Sequence, residues 1–252
     1  MRAITDSTTM LRRQIKHIGR YPSLILTYAG IPVIFLLLFV YVFGGTMGAG
    51  IGGDRAAYAG YLTPGIMIMT IAGAAQGTAI SVATDMAEGI VARFKTMAIA
   101  RVSVLTGHVL GAMVQTFIAI AVATVAAVLI GFRPSASALD WLGVVGVLAM
   151  FTFAITWLSV ALAMVSKSVT TASNLPMPLM LLPFLGSGFV PTESMPAGLR
   201  WFAEHQPFTP VIDTLRGLLA GHPVGSSFLE AAIWSAVIAL AGYLWARRLY
   251  NR

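Results

Sequence analysis

The chain has 252 residues, of which 58% are hydrophobic and only 10% are charged, with a net charge of +7 and a mean hydropathy of +0.84. Soluble domains carry about 25% charged residues, so this composition excludes an ordinary soluble protein and makes lipid the solvent of most of the chain. The sequence contains no cysteine, which excludes disulfides, thiolate metal sites and cysteine catalysis.

The N-terminal segment predicts an interfacial helix that feeds the membrane. Residues 5–20 begin with helix-capping Asp, Ser and Thr and then interleave apolar and basic residues. This pattern is typical of an amphipathic helix at the membrane surface, and we assign residues 1–22 to it. The apolar run that follows is too long for the core of a signal peptide, so we expect it to remain as the first span.

Six apolar segments predict six membrane-spanning helices. Five charge-free stretches each exceed the roughly 20 residues that a helix needs to cross a bilayer, and a shorter one covers 231–246, extended past Glu230 by Phe228 and Leu229. The runs are continuously apolar, which favours helices over membrane strands. We therefore expect an all-α integral membrane protein, with the first five spans at 24–43, 61–84, 104–130, 141–165 and 175–189.

The connections differ in composition. We expect a glycine-rich outer loop at 44–55, a tight outer turn at 131–137 and a short cytoplasmic turn at 166–173. Three prolines predict that the fifth span is broken or kinked: Pro176, Pro178 and Pro183. The segment 190–227 is too polar to span and too apolar to be a solvated linker, so we expect one or two short helices that dip into the outer leaflet.

The distribution of basic residues predicts the orientation. With six spans and a cytoplasmic N-terminus, twelve Lys and Arg residues fall in cytoplasmic segments and four in outer ones. This bias follows the positive-inside rule and places both termini in the cytoplasm. It also explains the net positive charge without a nucleic-acid partner.

Several kinds of functional site are missing from the sequence. No GxxxxGK[ST] stretch is present, and the four histidines show no paired metal-ligand spacing. No Asp, Glu, Lys or Arg falls in the middle of a span, where proton-coupled transporters place a titratable group. We therefore expect no catalytic residues, no metal and no cofactor in this chain, and energy must come from elsewhere.

The cytoplasmic loop at 85–101 is the natural place for an energy input. Ile90, Phe94 and Met97 fall on one helical face. The loop is either a solvated connection or a surface helix that docks into a soluble partner, with Phe94 as the anchor and Arg93 and Lys95 as charged flanks.

At this point the motifs resemble a known family. They are YVFGG at 41–45, YLTPGIMI at 61–68, DMAEGIVARFKTMAIAR at 85–101, IGFRP at 130–134 and GFVPTESMPAGLRWFAEHQPFTPVIDTLRGLL at 188–219. The whole chain resembles the ABC type-2 exporter permeases of bacteria, and more narrowly their daunorubicin-resistance (Drr-like) drug-efflux branch.

The resemblance implies a single transmembrane domain over 1–252 that pairs with a second permease subunit, identical or different, in the bacterial plasma membrane. A separate ATPase chain would carry ATP and Mg. The coupling helix would include Glu88, Gly89, Arg93, Phe94 and Lys95. The extracellular re-entrant helices would include Pro191, Glu193, Pro196, Pro207, Asp213 and Arg216.

The expected function is ATP-driven export of an amphipathic drug, antibiotic or lipid-like molecule by alternating access. Alternatives are an ATP-independent carrier and a membrane sensor or resistance factor whose loop docks a cytoplasmic protein. Polar residues in the second and third spans are candidates for the substrate pathway, although such side chains also serve helix packing: Thr70, Gln76, Thr78, Gln115 and Thr116.

Overall fold

The computed structural model describes residues 22–89 and 101–250. The expected interfacial helix, apart from Pro22, lies outside the described residues. So does most of the expected coupling helix, including Arg93, Phe94 and Lys95.

The described residues are helical and contain no strand. The helices are α1 (Pro22–Leu38), α2 (Gly44–Gly50), α3 (Arg55–Ala87), α4 (Arg101–Ile130), α5 (Ala138–Val165), α6 (Val169–Asn174), α7 (Met177–Leu181), α8 (Ala197–His205), α9 (Phe208–Ala220) and α10 (Ser227–Tyr250). A π-helical turn, Phe39–Phe43, joins α1 to α2, and a 3-10 turn, Thr192–Ser194, precedes α8.

Five helices among the described residues are long and apolar enough to cross a membrane. They are Ala29–Gly50, Arg55–Ala87, Leu105–Ile130, Ala138–Val165 and Ser227–Tyr250. These correspond to the predicted first, second, third, fourth and sixth spans. The chain is therefore a multi-pass, all-helical membrane protein in the part that the structure describes.

The predicted glycine-rich loop at 44–55 is wrong over most of its length. The first span continues as a helix to Gly50, and only residues 51–54 form the turn before α3. Glycine favours the continuation because the turn packs closely on this helix. A Cβ atom at Gly48 would lie 2.5 Å from the carbonyl oxygen of Asp54.

The predicted fifth span is broken, as its prolines indicated, but its boundaries differ from the prediction. The turn predicted at 166–173 is shorter than expected, because Ser168 caps a helix that already begins at Val169. Pro176 separates α6 from α7, and residues 182–190 form consecutive turns rather than a helix. Proline lacks the N–H that continues a helix, so the segment 169–190 is two short helices followed by irregular backbone. We call these residues the broken segment.

The broken segment lies along α3. Gln76 Nε2 donates to the Ser173 carbonyl at 2.8 Å, and Tyr58 Oη donates to the Phe189 carbonyl at 3.1 Å. These two positions on α3 are 18 residues apart, which is about 27 Å of helix axis. The broken segment therefore follows α3 over a distance close to the thickness of a hydrocarbon core.

The core lies around α3 and α5, which are mostly buried, whereas the other three long helices expose most of their surface. α10 packs on α5 through small buried residues: Ala231, Ser235, Gly242 and Ala246. A Cβ atom at Gly242 would lie 2.7 Å from the backbone nitrogen of Leu158. Close approach of backbones through small residues is the usual way in which membrane helices associate.

Gly65→Ala should destabilise the protein, because the new methyl group would collide with the backbone of Gly188, whose Cα would lie 2.9 Å away. We expect a loss of about 1–3 kcal/mol in thermal unfolding in detergent. Gly146→Ala in α5 is the matched control, since a Cβ atom there meets nothing within 4 Å, and it should gain about 0.5–1 kcal/mol in helix propensity. Equal behaviour of the two variants would contradict the close packing of the broken segment on α3.

Candidate functional site

A polar cluster joins α3, the broken segment and α9 near the end of α3 that begins at Arg55. Arg216 Nη1 donates to Asp213 Oδ1 at 2.6 Å, and Ser187 Oγ donates to the same carboxylate oxygen at 2.7 Å. Arg216 Nη2 donates to the Ser187 carbonyl at 2.5 Å, and Tyr61 Oη donates to that carbonyl at 3.0 Å. We call Tyr61, Ser187, Asp213 and Arg216 the outer cluster.

The ring of Tyr61 adds a second contact to Arg216. The guanidinium carbon lies 3.9 Å from the centre of the ring, well within the range of a cation–π interaction. Arg216 is thus held by a carboxylate, a carbonyl and an aromatic face at once. Both side chains of the ion pair are partly shielded from solvent, which makes such contacts stronger than on an open surface.

Two further side chains donate to backbone carbonyls of the broken segment near the outer cluster. Tyr58 reaches Phe189, as described above, and Gln206 Nε2 reaches the Leu182 carbonyl at 3.2 Å. Gln206 also donates to Thr209 Oγ1 at 3.0 Å, and Gly186 lies directly against this amide. The irregular backbone is therefore held by side chains from α3 and from the chain around α9.

Aromatic side chains also contact this part of the chain. The rings of Phe184 and Phe189 stack with centres 4.1 Å apart, and Phe39 lies 5.0 Å from Phe189. Phe39 begins the π-helical turn of the first span, and such turns often occur at functional sites. The segment 182–190 is thus fixed by polar contacts to α3 and α9 and by ring contacts to the first span.

Burial changes along one face of α3. In the half of α3 that begins at Arg55, Leu62, Ile66 and Thr70 are buried. The same helical face continues with Gly73, Gly77, Ser81 and Thr84, which are partly or fully exposed. The accessible part of this face therefore has small side chains, of which Ser81 and Thr84 carry hydroxyl groups, and Ile80 is exposed beside them.

Comparison with known proteins assigns the chain to a family. The family profile described as "ABC-2 type transporter" matches residues 5–220. The chain belongs to the ABC-2 type transporter family. It is a transmembrane permease subunit of an ABC exporter.

Two relatives have related names. The daunorubicin resistance ABC transporter permease protein DrrB1 of Streptomyces coeruleorubidus is 27% identical over 221 residues, covering 87% of this chain and 76% of the relative. A Mycobacterium tuberculosis protein called "Probable doxorubicin resistance ABC transporter permease protein DrrC" is 23% identical over 210 residues, covering 83% of this chain and 75% of the relative.

The structure brings together two of the six residues expected in the re-entrant segment of the permease, Asp213 and Arg216. The other four lie just before a short helix or turn, or within one. Pro191, Pro196 and Pro207 precede the 3-10 turn, α8 and α9 respectively, and Glu193 lies exposed within the 3-10 turn. Two short helices, α8 and α9, do form in this segment.

Of the expected coupling residues, only Glu88 and Gly89 lie in the described residues. They end α3: the Glu88 N–H donates to the Thr84 carbonyl at 2.9 Å, and the Gly89 N–H donates to the Met86 carbonyl at 3.1 Å. Gly89 has a φ of +69°, a left-handed conformation that commonly terminates helices and favours glycine. α3 of the permease therefore stops immediately before the segment that is expected to dock the ATPase.

The five expected pathway residues occupy different environments. Thr70, Thr78 and Thr116 are buried, and each hydroxyl donates to the carbonyl four residues earlier in its own helix. Gln76 binds the broken segment. Gln115 Nε2 is buried and has no hydrogen-bond partner in the part of the chain that the structure describes. Their contribution to a substrate pathway stays a prediction.

Four residues of the site were not singled out from the sequence: Tyr58, Tyr61, Ser187 and Gln206. The two tyrosines are three positions apart at the start of an apolar span, and Ser187 lies between two glycines. A polar side chain in such a position could have indicated a polar contact between these two parts of the chain. Among the described residues, no group of three or more His, Asp or Glu residues could hold a metal ion.

Arg216→Gln should destabilise the permease by about 1.5–3 kcal/mol, since it removes charge-assisted hydrogen bonds in a partly buried site. The measurement is thermal unfolding of the purified protein in detergent. Arg200→Gln is the matched control, because Arg200 also pairs with a carboxylate in its own helix, Glu204 Oε1 at 2.7 Å, but on an exposed surface. That hydrogen bond raises the pKa of Arg200, yet exposed pairs contribute little to stability. A comparable loss in both variants would show that the outer cluster has no special role.

Proposed function

We propose that this chain is a drug-efflux permease whose outer end is closed by the broken segment. It would move an amphipathic drug, antibiotic or lipid-like molecule out of the cell by alternating access. The names of the two relatives, which refer to resistance to daunorubicin and to doxorubicin, support this class of substrate. The whole chain would act as one transmembrane domain.

The observation that carries the proposal is the contrast between the two halves of α3. Toward its start, α3 is buried and tied to the broken segment by the outer cluster. Toward Ala87, the face with Gly73, Gly77, Ser81 and Thr84 is partly or fully accessible. This contrast is what an inward-facing permease requires: a seal on the outer side and an open path from the cytoplasm.

We further propose that the broken segment is a membrane crossing, which gives six crossings with both termini in the cytoplasm of a bacterial cell. Its course along about 27 Å of α3 supports this count. So does its hydrogen bonding, because irregular backbone is tolerated at membrane depth only where protein groups satisfy it. In this topology α8 and α9 lie at the outer leaflet, with Trp201 and Phe202 exposed, as aromatic residues at membrane interfaces commonly are.

Energy would enter through the segment that follows Gly89. Arg93, Phe94 and Lys95, with Glu88 and Gly89, would form a coupling helix in a groove of a separate ATPase subunit, and that subunit would bind ATP and Mg. A second permease subunit would complete the cavity. Closure of the ATPase subunits would move the coupling helices and shift the population from the inward-facing to the outward-facing state.

The number of crossings can be tested by cysteine labelling, because the chain has no cysteine of its own. Lys167→Cys and Ser194→Cys are exposed positions on either side of the broken segment. In intact cells an impermeant maleimide should label Ser194→Cys only, and Lys167→Cys should react after permeabilisation. Labelling of both positions, or of neither, in intact cells would show that the broken segment does not cross the membrane.

The coupling assignment can be tested with the separate ATPase subunit that the proposal requires. Wild-type permease should bind it and change its rate of ATP hydrolysis, whereas the double variant Arg93→Asp, Phe94→Asp should lose most of this effect because it removes the apolar anchor and inverts a flanking charge. The matched control is Arg200→Asp, Phe202→Asp, the same chemical change on the exposed helix α8. Normal coupling by the first double variant would assign the loop to a solvated connection.

A further inference from the structure

Asp85 and His108 form a polar contact between α3 and α4. Asp85 Oδ2 lies 3.1 Å from His108 Nε2, and the two side chains are only 19% and 11% exposed. Asp85 belongs to the last turn of α3, and His108 lies seven residues, about 10 Å, from the start of α4. The contact therefore joins the two helices close to the ends between which the segment 88–100 runs.

This contact differs in kind from the packing around it. The neighbouring contacts between the inner halves of α3 and α4 include the buried aliphatic residues Val82, Leu105 and Val109. Apolar packing is non-directional, so by itself it selects no particular pair of facing groups on the two helices. A carboxylate–imidazole contact has a preferred geometry. Because it is largely shielded from solvent, separation of the two groups would leave a buried charge without this partner.

A contact between α3 and α4 matters at this position, because the segment 88–100 connects these two helices here. α3 ends at a glycine with a left-handed backbone conformation, and such a break cannot transmit bending to α3 in the way that a continuous helix does. Near these ends α3 and α4 are joined by the apolar packing described above and, with a preferred geometry, by the Asp85–His108 contact. The contact therefore favours a common displacement of both helices when the segment 88–100 is displaced.

We propose that Asp85 and His108 are a positioning pair that makes the inner ends of α3 and α4 move as one body when the ATPase subunit displaces the segment 88–100. This inference rests on the proposed function and adds to it the residues that convert docking into movement of the spans. α3 also carries the tyrosines that hold the broken segment. The pair thus connects the site of energy input to the outer cluster through a single helix.

The test is a double-mutant cycle in the assembled complex of permease and ATPase subunit. Asp85→Ala, His108→Ala, the double alanine variant and the exchanged pair Asp85→His, His108→Asp are each reconstituted. The measurements are co-purification of the ATPase subunit, the rate of ATP hydrolysis, and ATP-dependent uptake of doxorubicin into inside-out vesicles. Met86→Ala, an exposed neighbour in the same turn, is the control.

We expect each alanine variant to bind the ATPase subunit as the wild type does, but to transport about tenfold less doxorubicin per ATP hydrolysed. The double alanine variant should be no worse than either single variant, and the exchanged pair should recover most of the loss. The conservative variant His108→Arg should also retain transport, since it keeps a donor for the carboxylate.

Three outcomes would overturn the inference. Additive losses in the double variant would show that the two residues act independently. Unchanged transport per ATP in the single variants would show that the pair has no part in coupling. A loss of ATPase binding equal to the loss of transport would make the pair a part of the docking surface. Absence of ATP-dependent doxorubicin uptake by the wild-type complex would instead overturn doxorubicin-like drugs as the substrate, and the rate of ATP hydrolysis across the same cycle would then decide the positioning role.

Discussion

The structure depends on one constraint, which is that buried backbone carbonyl groups must find donors inside the protein. The broken segment cannot satisfy all of its own carbonyls, because its prolines interrupt the helical hydrogen-bond ladder. Side chains of α3 and of the chain around α9 supply the missing donors. Gln76 reaches Ser173, Gln206 reaches Leu182, Tyr61 and Arg216 reach Ser187, and Tyr58 reaches Phe189.

This solution explains why the region around the outer cluster is polar without being open. Asp213 orients Arg216, the ring of Tyr61 covers the guanidinium group, and the stacked rings of Phe184 and Phe189 pack on the first span. A segment that is held by side chains rather than by its own backbone can exchange one set of donors for another with less disruption than a regular helix. Such an element is suited to the two-state behaviour that alternating access needs.

The sequence predicted the elements more successfully than their connections. Five long spans were found where charge-free length placed them, and the prolines of the fifth segment correctly indicated a break. The loop at 44–55 was predicted wrongly, because glycine is a poor helix former in general but is required here where Gly48 packs against the backbone of Asp54. The helix at Val169 was missed for a similar reason, since hydroxyl-rich composition is typical of turns as well as of capped helix starts. Asp213 and Arg216 were expected through family motifs, whereas their partners Tyr61 and Ser187 were not.

What the sequence determined by itself was one-dimensional: membrane insertion, the positions of five long apolar helices, the family, and the break at the prolines of the predicted fifth span. Crossing a bilayer depends on the length and polarity of a contiguous stretch, and these are visible along the chain. Only the tertiary structure decided which donors satisfy the broken segment and which half of α3 is accessible. Tyr61 and Ser187 are 126 positions apart and Arg216 and Tyr61 are 155 apart. Such contacts depend on how the helices pack in three dimensions, and hydropathy carries no information about that packing.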